Sequence, residues 1–314
     1  MILATATATA QPPGPGPIAG ASAKPTHSDD RRIDTIGYLF VAFFTVPFFL
    51  FNVLPVFFGV YVAFTRWSIV GSPHWVGLDN FASALKDKWA WTAFENVLLY
   101  GLIIVPGVTI FGLLFALYVN KRYPLSGLAR TFFFAPNVVS ATVIGLVWVW
   151  LLDTQYGLVN HYLSYFGIAA VPWLTSTQWS LVGVSIASIW WDLGLAFVLF
   201  LAALQDIPSD VIEAAHVDGA GRWSRLRFII LPHLRPVLSM VVTLQLIATF
   251  RIFSQVYVMT GGGPGQSSAS VIYYVYNVAI VRNLFGQASA ISLMLFVLIL
   301  VFATAMRLAL RERA

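Results

Sequence analysis

Six stretches of this chain, 36–64, 96–119, 132–152, 180–204, 236–258 and 288–309, carry at most one charged residue each. Each is as long as the roughly 20 apolar residues needed to cross the hydrocarbon of a bilayer. Backbone N–H and C=O groups find no water there, so each stretch must satisfy its own hydrogen bonds, and helices are the default. The chain is therefore expected to be an all-α integral membrane protein with six transmembrane helices. Composition agrees: 59% of the residues are apolar and 10% are charged, against about 25% charged in soluble domains. The absence of cysteine excludes disulfides, thiolate metal sites and cysteine nucleophiles. The five histidines show no ligand spacing. Pro47, Pro55 and Pro106 lie inside apolar segments and predict kinks rather than breaks.

Residues 1–32 form a separate region. They are dominated by Ala, Thr, Pro and Gly, cannot bury a core, and read as a disordered cytoplasmic tail. Arg31 and Arg32 precede a segment that is too long for a signal peptide and lacks a clear cleavage site, so it reads as a retained anchor. The remainder, 33–314, reads as one transmembrane domain. With the N-terminus inside, the inner segments hold Lys24, Arg31, Arg32, Lys121, Arg122, Arg130, Arg222, Arg225, Arg227, Arg235, Arg307, Arg311 and Arg313. The outer segments hold only Arg66, Lys86, Lys88 and Arg282. That asymmetry puts both termini in the cytoplasm. It also explains the net charge of +5 without nucleic acid. Residues 269–281 are apolar but short for a span, and are expected to form an external interfacial or re-entrant helix. Trp89, Trp91, Tyr156 and Trp173 in the outer segments either anchor the interface or meet a partner.

Between the fourth and fifth segments lies a polar, basic loop, 205–235. After Pro208, Ser209 or Asp210 can cap a helix, and Glu213 supports its first turn. Gly219 and Gly221 permit a sharp bend. A second short helix is expected to carry Trp223, Leu226 and Ile230 on one face, ended by Pro232 and Pro236. Taken alone, this describes an amphipathic interfacial segment.

The loop also contains Glu213-Ala214-Ala215, then Gly219 after three residues, then Ile229-Ile230-Leu231-Pro232. This EAA-x3-G-x9-I-x-L-P spacing resembles the cytoplasmic coupling loop of ABC importer permeases. The resemblance implies the type I permease fold. It implies that Glu213, Ala214, Ala215, Asp218, Gly219, Arg222 and Arg225 meet an ATPase. No GxxxxGK[ST] phosphate-binding sequence is present. The chain is thus expected to be no enzyme and to hold no cofactor, with ATP and Mg bound by partner subunits. The other implied partners are a second permease, two ATP-binding subunits and an extracytoplasmic sugar-binding protein, all at the bacterial cytoplasmic membrane.

A second motif, Phe250 to Gly265 (FRIFSQVYVMTGGGPG), resembles the end of the fifth helix in carbohydrate-uptake permeases of the maltose and glycerol-3-phosphate type. Ser254 departs from the Asp common there. Gly286 to Ser292 resembles the entry to that family's last helix. Asp192 and Arg251 are formal charges within spans and must face a cavity or each other. Ser188, Asp192 and Leu195 share one helical face at i, i+4 and i+7; Ala248, Arg251 and Gln255 would share another. The resemblance makes these six the expected substrate pathway, for a mono- or oligosaccharide or, alternatively, a glycerol phosphate or polyol. A structural Asp192–Arg251 pair remains the rival for those residues. A stand-alone ion-coupled carrier remains the rival for the whole chain.

Overall fold

The computed structural model describes residues 27–68, 71–120 and 126–310. The tail expected over 1–32 lies outside the described residues up to position 26, as do Lys121, Arg122, Arg311 and Arg313. Among the described residues helix is already present at His27, earlier than the apolar segment expected from 36.

The chain divides into two compact units, Met1–Val56 and Phe57–Ala314. In the first, α1 (His27–Phe48) runs into a π-helical turn, Phe49–Val53, and then into α2 (Leu54–Ala63). Leu54 donates its N–H to the carbonyl of Phe49, five residues back. Pro55 has no N–H to give, and the wider turn carries the chain past it without leaving the helix. Large side chains from Tyr38 to Phe51 are exposed, as befits a helix whose solvent is hydrocarbon.

The second unit opens with the rest of α2 and a hairpin, β1 (Thr65–Arg66) antiparallel to β2 (His74–Trp75). It continues through α3 (Asp79–Lys86), α4 (Lys88–Val119), α5 (Ser126–Val138), α6 (Ala141–Leu151), α7 (Leu158–Ser164) and α8 (Ser180–Gln205). Next come α9 (Ser209–Val217), α10 (Arg222–Arg225), a π turn (Leu226–Ile230) and α11 (Leu231–Phe250). Last are α12 (Ser254–Met259), α13 (Val271–Tyr276) with a π turn (Asn277–Val281), and α14 (Phe285–Leu310). Helix α4 runs unbroken through Pro106 and buries Val97, Tyr100, Ile104, Val108, Gly112 and Ala116, three or four residues apart, so they form one stripe. The stripe packs on α8, where Val184, Phe197 and Phe200 are fully buried. Helix α11 lies against α4 and α14. Gly286 marks where α14 meets the hairpin: a Cβ there would stand 2.0 Å from the Thr65 carbonyl oxygen, so no larger residue fits.

Among the described residues, five helices are long and apolar enough to span a membrane. The segment 132–152, expected as one span, is a pair of helices bent by 107° between Val138 and Ala141. Pro136 and Ser140 account for the break. Ser140 caps α6 by accepting from the Val143 N–H at 3.4 Å. The loosened backbone is held from α8: Trp191 Nε1 donates to Val139 O at 2.9 Å, and Asn137 Nδ2 to Trp191 O at 3.4 Å. Non-helical backbone at membrane depth is tolerated where protein satisfies it in this way. Counted as one span, the pair brings the total to six. Residues Val271–Val281 form a short apolar helix, too short to cross.

Candidate functional site

Helix α9 and its turn are built by local hydrogen bonding. The N-cap is Pro208, and neither Ser209 nor Asp210 bonds the first turn, contrary to the expected cap; Ser209 Oγ donates to Asp210 instead. At the other end Asp218 closes the helix. Gly219 N–H reaches His216 O at 3.1 Å, and Ala220 N–H reaches Ala215 O at 2.9 Å. These two bonds make a Schellman motif, and it needs a left-handed residue: Gly219 has φ +77°. Space is not the reason, because a Cβ at Gly219 would meet nothing within 4 Å. Gly221 is extended (φ −64°, ψ 168°), a conformation open to any residue.

The second expected helix is not separate. Arg222–Phe250 is one apolar helix of 29 residues. Pro232 and Pro236 do not end it. The π turn at Leu226–Ile230 shifts the bonding register, with Leu231 N–H on Leu226 O, before Pro232 enters without a donor.

Large apolar side chains stand out from the loop: Trp223 is 70% exposed, Phe228 69% and Val217 87%. Arg227 lies over the Phe228 ring at 5.6 Å. Of the motif residues, Ala215 is buried, whereas Glu213, Ala214, Asp218, Gly219 and Arg222 are exposed. Behind them is a cavity of about 1350 Å³. The ends of α4 and α8 (Tyr118, Asn120, Gln205, Asp206) wall it together with Arg130, Glu213, Arg222 and Arg225. No ion pair within 4.0 Å forms between these arginines and Asp206 or Glu213. Sequence reasoning missed Arg130 and Asn120, which reach the loop only through tertiary packing, and gave no role to Asp206 at the loop's start.

Deep in the helices, α8 and α11 meet at a polar contact other than the rival Asp192–Arg251 pair. Asp192 Oδ2 accepts from Gln245 Nε2 at 2.8 Å. Arg251 forms no ion pair with Asp192 within 4.0 Å. It lies past the end of α11, as its C-cap, and is exposed. The helical face drawn through Ala248, Arg251 and Gln255 therefore does not exist, because Gln255 is buried on the separate α12. Ser188 is buried and turned back on Val184 O. Leu195 and Ala248 are exposed. They belong to two stripes, Trp191–Leu195–Val198 on α8 and Met240–Leu244–Ala248 on α11, with Asp192 and Gln245 bridging the two helices. The signal for Gln245 was its polarity within the apolar run Leu244-Gln245-Leu246.

Past α11, the glycine-rich segment is welded down. Asn96 Nδ2 donates to Gln266 O (2.8 Å) and Ala269 O (3.0 Å), and Tyr100 Oη to Ser268 O (2.9 Å). Ser268 Oγ lies 2.8 Å from both Thr260 Oγ1 and Gly263 O and shares its one hydrogen between them. Ser180 and Ser267 hydroxyls meet at 2.8 Å. Beyond it, Tyr274 Oη donates to Asp87 at 2.5 Å and receives Arg282 at 3.3 Å. Burial first, and then the Asp87 carboxylate, push the Tyr274 hydroxyl up to about 12.

Residues 108–312 match the family of binding-protein-dependent transport system inner membrane components. The trehalose/maltose transport system permease of Thermococcus litoralis is 33% identical over 268 residues, 85% of this chain and 90% of that protein. The multiple sugar-binding transport system permease of Streptococcus mutans is 33% identical over 265 residues, 82% and 90% of the two chains. A crystal structure of a bacterial ABC transporter that imports the acidic polysaccharide alginate superimposes with a TM-score of 0.80 at 23% identity, covering 91% of this chain and 99% of that one. The chain belongs to the binding-protein-dependent inner-membrane component family. It is a multi-pass ABC importer permease, a transport subunit rather than an enzyme, and its transport depends on a binding protein.

Proposed function

We propose that this chain forms half of the pathway of a carbohydrate importer, with a second permease as the other half and two ATPases, one of which docks on the α9 turn. The carrying observation is that turn: a glycine-locked bend presenting Val217 and Trp223 to solvent beside Glu213. Exposed apolar patches of this kind mark partner surfaces. Arginines at Arg130, Arg222, Arg225 and Arg227 favour its placement in the cytoplasm, with both termini on that side. Closure of the ATPases would draw two such loops together and tilt the helices. ATP and Mg are assigned to those partners; the permease itself holds no cofactor in this reading.

The sugar class is supported by the trehalose/maltose and multiple-sugar systems among the relatives. The binding partner is supported by the alginate transporter seen with its pentasaccharide-bound periplasmic protein, TM-score 0.79 at 22% identity. That fold serves an acidic polysaccharide there, so family membership alone leaves substrate charge open. The pathway is assigned to the face of α8 and α11 that carries exposed Leu195 and Ala248 and part-buried Asp192, with Arg251 just past the end of α11. A carboxylate without a cation does not face hydrocarbon at tolerable cost, so this face turns to an aqueous passage shared with the second permease. Reconstitution in proteoliposomes tests the proposal. Sugar uptake and sugar-stimulated ATP hydrolysis should require all four kinds of subunit. Proton-driven uptake by this chain alone would refute it.

A further inference from the structure

We propose that Asp192 and Gln245 together form the charge filter of the pathway, admitting uncharged polyhydroxylated substrates and turning anions away. This rests on the pathway assignment above and adds the substrate's charge class. Among the described residues Asp192 is the acid placed deep within a spanning helix, and it forms no ion pair. The cation that sequence reasoning set beside it, Arg251, caps the end of α11 and leaves that carboxylate uncompensated. Gln245 is buried and spends one amide hydrogen on Asp192 Oδ2 at 2.8 Å. That single bond fixes the carboxylate in place without neutralising it. Asp192 Oδ1 stays available as an acceptor, and the second amide hydrogen of Gln245 as a donor. An acceptor beside a donor on adjacent helices suits neighbouring hydroxyls of a sugar, each of which can donate and accept. A carboxylate or phosphate offers only acceptors and meets a like charge at close range, where water in the passage screens the repulsion only in part. Gln245 is thus a positioning residue, and Asp192 is the group that discriminates.

The chain has no cysteine, which permits a test that needs no knowledge of the sugar. Leu195, one turn from Asp192 and 48% exposed, is replaced by Cys in the complete importer. Its modification is timed with trimethylammonioethyl and sulfonatoethyl methanethiosulfonate, each rate normalised to that of a free thiol, with the complex lacking Leu195→Cys as background. The cationic reagent should react about fivefold faster or more, as expected for a single charge one helical turn away. Asp192→Asn should bring the ratio close to one. Gln245→Leu, which keeps the charge, should retain the preference while slowing sugar uptake. A ratio near one in the parent, or one that Asp192→Asn leaves unchanged, would overturn the filter, as would equal uptake of a neutral sugar and its uronic acid. Proteoliposomes that take up no sugar while the ratio behaves as expected would instead sink the carbohydrate reading and spare the filter.

Discussion

The helix Arg222–Phe250 is flanked by two glycine-bearing connections of opposite character. At its end, the segment from Thr260 to Ser270 buries Gly262 and Ser268 to Ser270 and is tied by Asn96, Tyr100 and Ser180 to α4 and α8. At its start, the Gly219 turn is held only by its own backbone and exposes Val217 and Trp223. Glycine permits the bend in both. In one case the protein supplies partners for the freed polar groups, and in the other it leaves a surface for a different polypeptide. A connection saturated from within contributes to stability; one left open contributes to assembly.

Substitutions should separate the two roles. Glu213→Lys and Trp223→Ser should have the largest effect, weakening ATPase docking by roughly 2 kcal/mol or more, about thirtyfold, as for central interface residues. Co-purification with the ATPase would show it, with thermal unfolding in detergent unchanged. Asn96→Ala should do the reverse. It strips hydrogen bonds from one buried and one part-buried carbonyl, at about 1 kcal/mol each, so the unfolding temperature falls while docking persists. Gly219→Ala should fall between them: a left-handed non-glycine residue costs about 1–2 kcal/mol, read as a modest loss in both assays. Loss of ATPase from Asn96→Ala, or of stability from Trp223→Ser, would break the comparison.

Membrane insertion was legible because hydrocarbon leaves the backbone a single economical choice, so segments such as 180–204 announce themselves. The Gly219 turn was legible because its bonding is local. Three features were not. The break at Ser140 depends on Trp191 of α8 to satisfy it. The passage of the helix through Pro232 depends on a π turn whose pattern is absent from apolar periodicity. Replacement of Arg251 by Gln245 as the partner of Asp192 depends on where α11 ends, at Phe250. Each is decided by a neighbouring helix or by a shift in bonding register.

The smallest predicted effect concerns acid. Asp153 accepts from the N–H groups of Tyr156 and Gln155 at 2.8 and 2.9 Å, and these bonds lower its pKa. The contribution to stability is present above the ordinary carboxylate pKa and fades as pH falls through the lowered value. Asp153→Asn should therefore flatten a slight acid-side decline in unfolding temperature and leave neutral pH almost untouched.

The most direct measurement places a photoactivatable benzophenone side chain at Val217 in the assembled importer. A covalent adduct with the ATPase subunit is expected, with none from the same side chain at the buried Ser268. Labelling of the binding protein from Val217, or of no protein at all, would contradict the coupling role assigned to this turn.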